Sequence, residues 1–220
     1  ERLHKINVLV TDKTGTLTIP NQNIDFTKAR NIPLDEREQL KPSAREAINK
    51  LRSQGIDVYM MSGDNEESAR YWASKTGIEH YHSKVLAQDK EDMVRQLRSE
   101  GKIVAMMGDG INDTQALALA DVSIAMGKGT DVALDVAGIT LMGDNLQTLP
   151  EAVKLSRLTV RMIWQNLFWA FIYNLICIPL AAGVLKIFDI HWQITPSVAS
   201  ALMAFSSVSV VLNSLRLRYL

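Results

Sequence analysis

The sequence predicts a doubly wound parallel α/β sheet followed by two transmembrane α-helices. Three observations predict it. Short apolar runs alternate with helical periods over the first 150 residues, the pattern of a parallel sheet with crossover helices. Three of those runs end in turns that carry an aspartate. The charge then disappears: residues 1–159 hold 20 Lys/Arg and 23 Asp/Glu, whereas residues 160–220 hold 4 and 1. Over the whole 220 residues the 24 basic and 24 acidic side chains cancel. That balance excludes a nucleic-acid binder relying on bulk positive charge, and an acidic disordered tail. The single cysteine, Cys177, excludes a disulfide framework and a thiolate cluster.

Taken in order, Ile6–Thr11 is the first strand and leads to Asp12. Pro42–Gln54 reads as a helix, with Ala44, Ala47, Ile48 and Leu51 on one face and Gly55 as its stop. Asp57–Met61 is the next strand and ends on Ser62-Gly63-Asp64. Helices follow at Asn65–Thr76, stopped by Gly77, and at Asp89–Ser99, stopped by Gly101. Lys102–Met107 is a strand ending on Gly108-Asp109-Gly110. Val122–Ala125 and Ile139–Leu141 are two shorter strands, and a helix from Thr148 leads toward the apolar end.

Residues 163–185 form 23 residues without a charge, about 34 Å as a helix, enough to cross a bilayer. Residues 192–215 form a second uncharged run of 24. Arg157 and Arg161 flank one outer end, Arg216 and Arg218 the other, so the positive-inside rule puts both ends and the soluble part in the cytoplasm. Trp164 and Trp192 fall near opposite interfaces. A buried helical hairpin of a soluble protein is the plainer alternative, and two long uncharged runs in succession argue against it.

Ligands of open α/β sheets bind at the carboxyl ends of strands. Asp12, Asp64, Asp109 and Asp113 are therefore expected to gather there. Carboxylates this close repel unless a cation stands among them, and a hard oxygen set calls for Mg²⁺. A single Asp in such a turn is as well explained as a helix cap. The run Asp12-Lys13-Thr14-Gly15-Thr16-Leu17-Thr18 is not.

That run resembles the phosphorylation motif of P-type ATPases, and Gly108-Asp109-Gly110-Ile111-Asn112-Asp113 resembles their hinge motif. The resemblance implies a haloacid-dehalogenase-like phosphorylation domain and the last two transmembrane helices of a pump. By position it implies Asp12 as the nucleophile that takes a phosphoryl group from ATP, and Asp12, Asp109 and the Thr14 main-chain carbonyl as holders of Mg²⁺. Lys13 and Thr14 belong to the same catalytic motif. Lys90 matches the lysine that neutralises phosphoryl oxygens, a solvated surface lysine being its plainer reading. Ser62-Gly63-Asp64 stands where the family usually has Thr-Gly-Asp, so a hydroxyl remains to contact phosphate. Asn112 and Asp113 would stabilise the hinge and the phosphate loop. Phosphatases of this fold carry a second Asp two residues after the nucleophile. Here that position is Thr14, which cannot activate water, and this favours a pump with a lasting aspartyl phosphate.

Within the apolar runs, Asn166, Tyr173 and Asn174 share one helical face, and Ser200, Met203, Ser207 and Ser214 share another. Small residues such as Ser200 and Ser214 suit close helix packing. Tyr173-Asn174 with Met203-Ala204-Phe205-Ser206-Ser207 resembles the signature of the copper(I) branch of heavy-metal P-type ATPases, which implies Tyr173, Asn174, Met203 and Ser207 as contacts for transported Cu(I). A thioether suits that soft ion. Cys177 is not part of the Cys-Pro-Cys expected in that branch and is assigned to packing.

The resemblance divides the chain into a first part of the phosphorylation domain (1–18), a bridge where the nucleotide-binding domain is missing (19–40), the remainder of the phosphorylation domain (41–150) and the helix pair (151–220). Pro33-Leu34-Asp35-Glu36-Arg37-Glu38 looks like the opening of that missing domain. The chain opens on Glu1 before an apolar run and reads as a piece of a longer protein or an engineered fragment. Its implied setting is a multi-pass membrane protein, with the bilayer, the remaining helices and the actuator domain of the same pump as partners. The rivals are a Zn/Cd-transporting P-type ATPase, a membrane-tethered phosphatase of the same superfamily, and a non-catalytic fragment that assembles with a pump.

Overall fold

The computed structural model describes residues 2–21, 32–127, 130–182 and 195–216. They form two compact units, Glu1–Lys154 and Leu155–Leu220. In the first, six parallel strands make one sheet: β1 (Val8–Asp12), β4 (Asp57–Met61), β5 (His80–His82), β6 (Val104–Gly108), β7 (Val122–Met126) and β8 (Ile139–Leu141). Their spatial order is β5-β4-β1-β6-β7-β8. The chain winds outward from β1 on one side, then returns to β6 on its other side. The C-terminal ends of β1 and β6 therefore flank the topological switch point, where such sheets leave a crevice. A second, antiparallel pair joins β2 (Thr18–Pro20) to β3 (Glu38–Leu40). The short helix α1 (Leu34–Arg37) runs directly into β3.

Every residue of β1 and β6 is buried, as central strands covered on both faces require. Alternate side chains serve opposite layers. Leu9, Ala105 and Met107 pack with Ala44, Ala47, Ile48 and Leu51 of α2 (Ala44–Ser53) and with Ala69, Trp72 and Ala73 of α3 (Glu66–Thr76). Val8, Val10, Val104 and Met106 pack with Val94 and Leu97 of α4 (Ala87–Ser99), with Ala116 and Leu117 of α5 (Thr114–Leu119), and with Ala133 of α6 (Asp131–Val136). The Asn65 side chain caps α3 by accepting the Ser68 N–H, and Gly77 ends that helix in the left-handed region at φ 80°.

Helix α7 (Thr148–Ala181) begins on the sheet, where Leu149 and Val153 join the first core layer. The boundary between the units thus falls inside a helix. Helix α7 is long and apolar enough to cross a membrane, whereas the apolar stretch of α8 (Pro196–Leu215) is shorter, Ser200–Leu215. Two full spans were expected from the sequence, and among the described residues one helix meets that length. Positions 183–194, which include the expected loop and Trp192, lie outside the described residues. Trp164, Leu167, Phe168, Trp169, Phe171, Val208, Val211 and Leu212 of the second unit are exposed. So much apolar surface needs lipid or other helices against it.

The β2–β3 pair is tied to the main sheet by a buried ion pair. Lys13 is almost fully buried, and its Nζ donates to both Glu38 carboxylate oxygens, at 2.5 and 2.6 Å. Thr18 Oγ1 donates to the same carboxylate at 2.8 Å. Removing one partner of a buried pair strands the other charge, which costs about 3–5 kcal/mol. Glu38→Ala should therefore destabilise the first unit by about that amount, and Glu38→Gln, which still accepts a hydrogen bond, by less. Urea unfolding followed by hydrogen exchange of β1 amides checks the ranking.

Candidate functional site

Asp12 is the last residue of β1, and Asp109 follows β6 directly. Asp113 ends the 3₁₀ turn Ile111–Asp113 that leads into α5. The carboxylates of Asp12, Asp109 and Asp113 bring oxygens within 4.8 Å of one another. Lys90, in the first turn of α4, reaches into this cluster from the side. Its Nζ donates to Asp113 at 2.7 Å and to Asp12. All four groups line one cavity of about 530 Å³, together with Thr14, Gly15, Gly63, Asp64, Asn112 and others.

Three carboxylates against one ammonium leave negative charge in excess. Burial pushes the Asp12 carboxyl up, Lys90 pulls it back and Asp113 adds to the rise, so it stands at about 6. Asp109 is also raised, by burial first and Asp113 second. Burial opposes the charge on Lys90, but Asp12 and Asp113 outweigh it and hold the ammonium above the usual lysine value. A crowded, oxygen-only donor set with surplus negative charge fits Mg²⁺.

Two glycines make this crowding possible. Gly15 sits at φ 74°, and a Cβ there would fall 1.6 Å from Asp109 Oδ2. A Cβ on Gly108 would meet Asp113 Oδ2 at 2.5 Å. Behind the loop, the buried Lys41 donates to the Gly15 carbonyl at 2.7 Å.

The structure departs from the sequence-based expectation at three residues. Lys13 does not face the cavity: successive side chains leave an extended chain on opposite sides, so it turns away from Asp12 to Glu38. Asp64 lines the cavity but does not join the carboxylate cluster. Its Oδ2 accepts from Lys13 at 2.6 Å and from Ser68 Oγ at 2.7 Å. Burial pushes that carboxyl up, yet Lys13 and Ser68 outweigh it and hold it below the usual carboxylate value. Ser62 is buried, and its Oγ accepts the Asp64 N–H at 3.2 Å, so Gly63 and Asp64 form the cavity wall instead. Thr14 and Asn112 are exposed at the cavity. Glu38 and Lys41 were missed in the sequence. A lysine at the end of a buried strand demands an acid partner, and that demand was the available signal for Glu38.

In the second unit, Tyr173, Asn174, Met203 and Ser207 line one cavity of about 210 Å³ between α7 and α8, with Ala170, Cys177, Leu202 and Ser206. Ser207 Oγ donates back to the Met203 carbonyl at 3.2 Å. Further along the same helix pair, Asn166 Nδ2 donates to Ser214 Oγ at 2.9 Å, and Asn213 Nδ2 donates to Asn166 Oδ1 at 2.8 Å. These side chains bond each other across the helix pair.

A haloacid dehalogenase-like hydrolase family model matches residues 21–121. The copper-transporting ATPase of Helicobacter felis is 45% identical over 181 residues, 82% of this chain and 24% of its own. The probable copper-transporting ATPase PacS of Synechocystis is 50% identical over 182 residues, with the same coverage. A crystal structure of a zinc-transporting PIB-type ATPase in its E2·Pi state superimposes with a TM-score of 0.78 at 22% identity, covering 98% of this chain and 50% of that one. The cobalt-bound deoxy-D-mannose-octulosonate 8-phosphate phosphatase of Haemophilus influenzae superimposes with a TM-score of 0.60 at 19% identity, over 71% of this chain and 92% of that one. The last two likenesses concern the fold. The chain spans about a quarter of the length of the curated relatives it matches. Over most of its length the chain is a homologue of copper-transporting P-type ATPases.

Proposed function

We propose that this chain is the phosphorylation domain and a helix pair of an ATP-driven Cu(I) pump that forms an aspartyl phosphate at Asp12. The observation that carries the reading is the cluster at the switch point: a strand-end carboxylate, two further carboxylates and a buried lysine around one cavity. At about 6, the Asp12 carboxyl is mostly ionised at neutral pH and able to act as a nucleophile. One of its oxygens bonds to the γ-phosphorus as the bond to the bridging oxygen of ATP breaks, and ADP leaves. Lys90 is placed to pass from Asp12 to the phosphoryl oxygens, while Asp113 holds its ammonium in position. Asp12, Asp109 and Asp113 would hold Mg²⁺, which when bound neutralises phosphoryl charge. Thr14 has no carboxylate to take a proton from water, so the acyl phosphate persists until another part of the pump supplies a base. ATP would be held by a nucleotide domain for which residues 19–40 leave no room.

Copper is supported by the names of the relatives and by the Tyr173, Asn174, Met203 and Ser207 cavity. The arginine flanks at 157, 161, 216 and 218 favour a cytoplasmic place for the soluble unit.

Three outcomes test the reading in the longer protein. Asp12→Asn should abolish acid-stable phosphoenzyme while the fold is kept, and undiminished Cu(I)-dependent ATPase activity would remove Asp12 from the mechanism. Gly15→Ala should drive Asp109 out of the cluster and raise the Mg²⁺ concentration needed for phosphorylation by about tenfold or more, measured by a Mg²⁺ titration of phosphoenzyme. Met203→Ala should cut Cu(I)-stimulated phosphorylation from ATP but spare phosphorylation backward from inorganic phosphate, which needs an empty membrane site. Equal loss in both directions would make Met203 a packing residue.

A further inference from the structure

We propose that Lys41 is a positioning residue of the Mg²⁺–phosphoryl site: its ammonium fixes the Gly15 main chain, and Gly15 in turn fixes the Asp109 carboxylate. This rests on the phosphoryl-transfer reading and deepens it with a residue outside the cavity where the chemistry would occur. Asp109 leans directly on that glycine, since a Cβ on Gly15 would fall 1.6 Å from Asp109 Oδ2. The shelf is weak in itself. A glycine at φ 74° has no side chain to anchor it and reaches other backbone conformations at little cost. Its neighbour Thr16 is fully buried, yet the Thr16 hydroxyl finds no hydrogen-bond partner, so the loop is held through its main chain.

Close packing would lock such a loop, but Gly15 and Asp109 border space in two cavities. Besides the cavity of the carboxylate cluster, both line a second one of about 350 Å³, with Lys41, Met126 and Asp144. Lys41 supplies what packing does not. Its Nζ donates to the Gly15 carbonyl at 2.7 Å, and its main-chain N–H donates to the Leu17 carbonyl at 3.0 Å. One residue thus grips both ends of the segment 15–17. The cost of placing a lysine there is real, because its side chain is 2% exposed and an ammonium gives up much hydration on burial. The Asp144 carboxylate at 3.9 Å offsets part of that cost. For stability alone, an apolar side chain of similar volume would serve as well. An ammonium–carbonyl hydrogen bond is charge-assisted and stronger than a neutral one, which suits a glycine that must hold its place against a carboxylate.

Fluorine NMR of the full 220-residue chain in lipid nanodiscs, with beryllium fluoride and increasing Mg²⁺, gives the Mg²⁺ concentration at which half of the bound signal forms. Lys41→Met keeps most of the side chain's length and loses the ammonium. It should raise that concentration by about tenfold or more, with the full signal still reached at high Mg²⁺, and Lys41→Arg should stay close to wild type. Both Lys41→Met and Gly15→Ala disturb the same Gly15–Asp109 contact. Adding the first to the second should therefore shift the half-point by no more than about twofold. Effects that multiply in full would make Lys41 a general support of the fold and overturn the proposal, as would a wild-type half-point in Lys41→Met. Should Lys41→Met fail to fold, Lys41→Gln carries the same test, and failure of both to fold would return Lys41 to fold stability alone. A wild-type chain that gives no Mg²⁺-dependent signal would overturn the phosphoryl-transfer reading itself, and this inference with it.

Discussion

Electrostatic crowding at the ends of β1 and β6 is the constraint from which the rest of the first unit follows. Asp12, Asp109 and Asp113 crowd together where the sheet reverses its winding, and the Lys90 ammonium touches two of them. Such an arrangement is expensive to keep in a folded protein, because each carboxylate makes ionisation of the next harder. On the function proposed above, the expense is reasonable, because a divalent cation and a phosphoryl group would use the same oxygens and the same ammonium. The sheet supplies the rigidity. Asp12 extends a fully buried strand, and Asp109 leaves another beside it, so their separation is fixed by backbone register rather than by side-chain choice.

Around this cluster a second set of charges does the holding. Lys13 turns away from the cavity and joins Glu38 of β3 to Asp64 beyond β4. One buried ammonium thereby ties the loop after β1, the small antiparallel pair and the loop after β4 together. Lys41 holds the Gly15 carbonyl in the same loop. Gly15 in turn gives Asp109 the space that a side chain would fill. The ion pairs at Lys13 and at Lys90 thus differ in place: one shapes the loop, the other faces the cavity.

Much of this was legible in the sequence, and the exceptions have physical reasons. Strands that end on an aspartate or a Gly-Asp turn are visible because apolar runs and turn residues are local signals. The strand His80–His82 is not, since it is three residues long, carries polar side chains and exists through its pairing with β4. Lys13 could be read as part of a motif but not as pointing backward, because orientation depends on where the extended chain ends. Glu38 lies 25 residues from its partner, with nothing local to mark it. Asp64 was grouped with the other aspartates by its place in a strand-end turn, whereas hydrogen bonds to Lys13 and Ser68 decide its side.

The two units differ in chemistry: the first holds a cavity lined by carboxylates and a lysine, the second a cavity lined by thioether, amide and hydroxyl groups. The claim on which the account depends is that Asp12, Asp109, Asp113 and Lys90 form a single Mg²⁺–phosphoryl site within this chain. Fluorine NMR of the chain with beryllium fluoride, a mimic of the acyl phosphate, tests it most directly. The account predicts a bound fluoride signal that requires Mg²⁺ and is lost in Asp12→Asn. A signal that forms without Mg²⁺, or that survives Asp12→Asn unchanged, would contradict it.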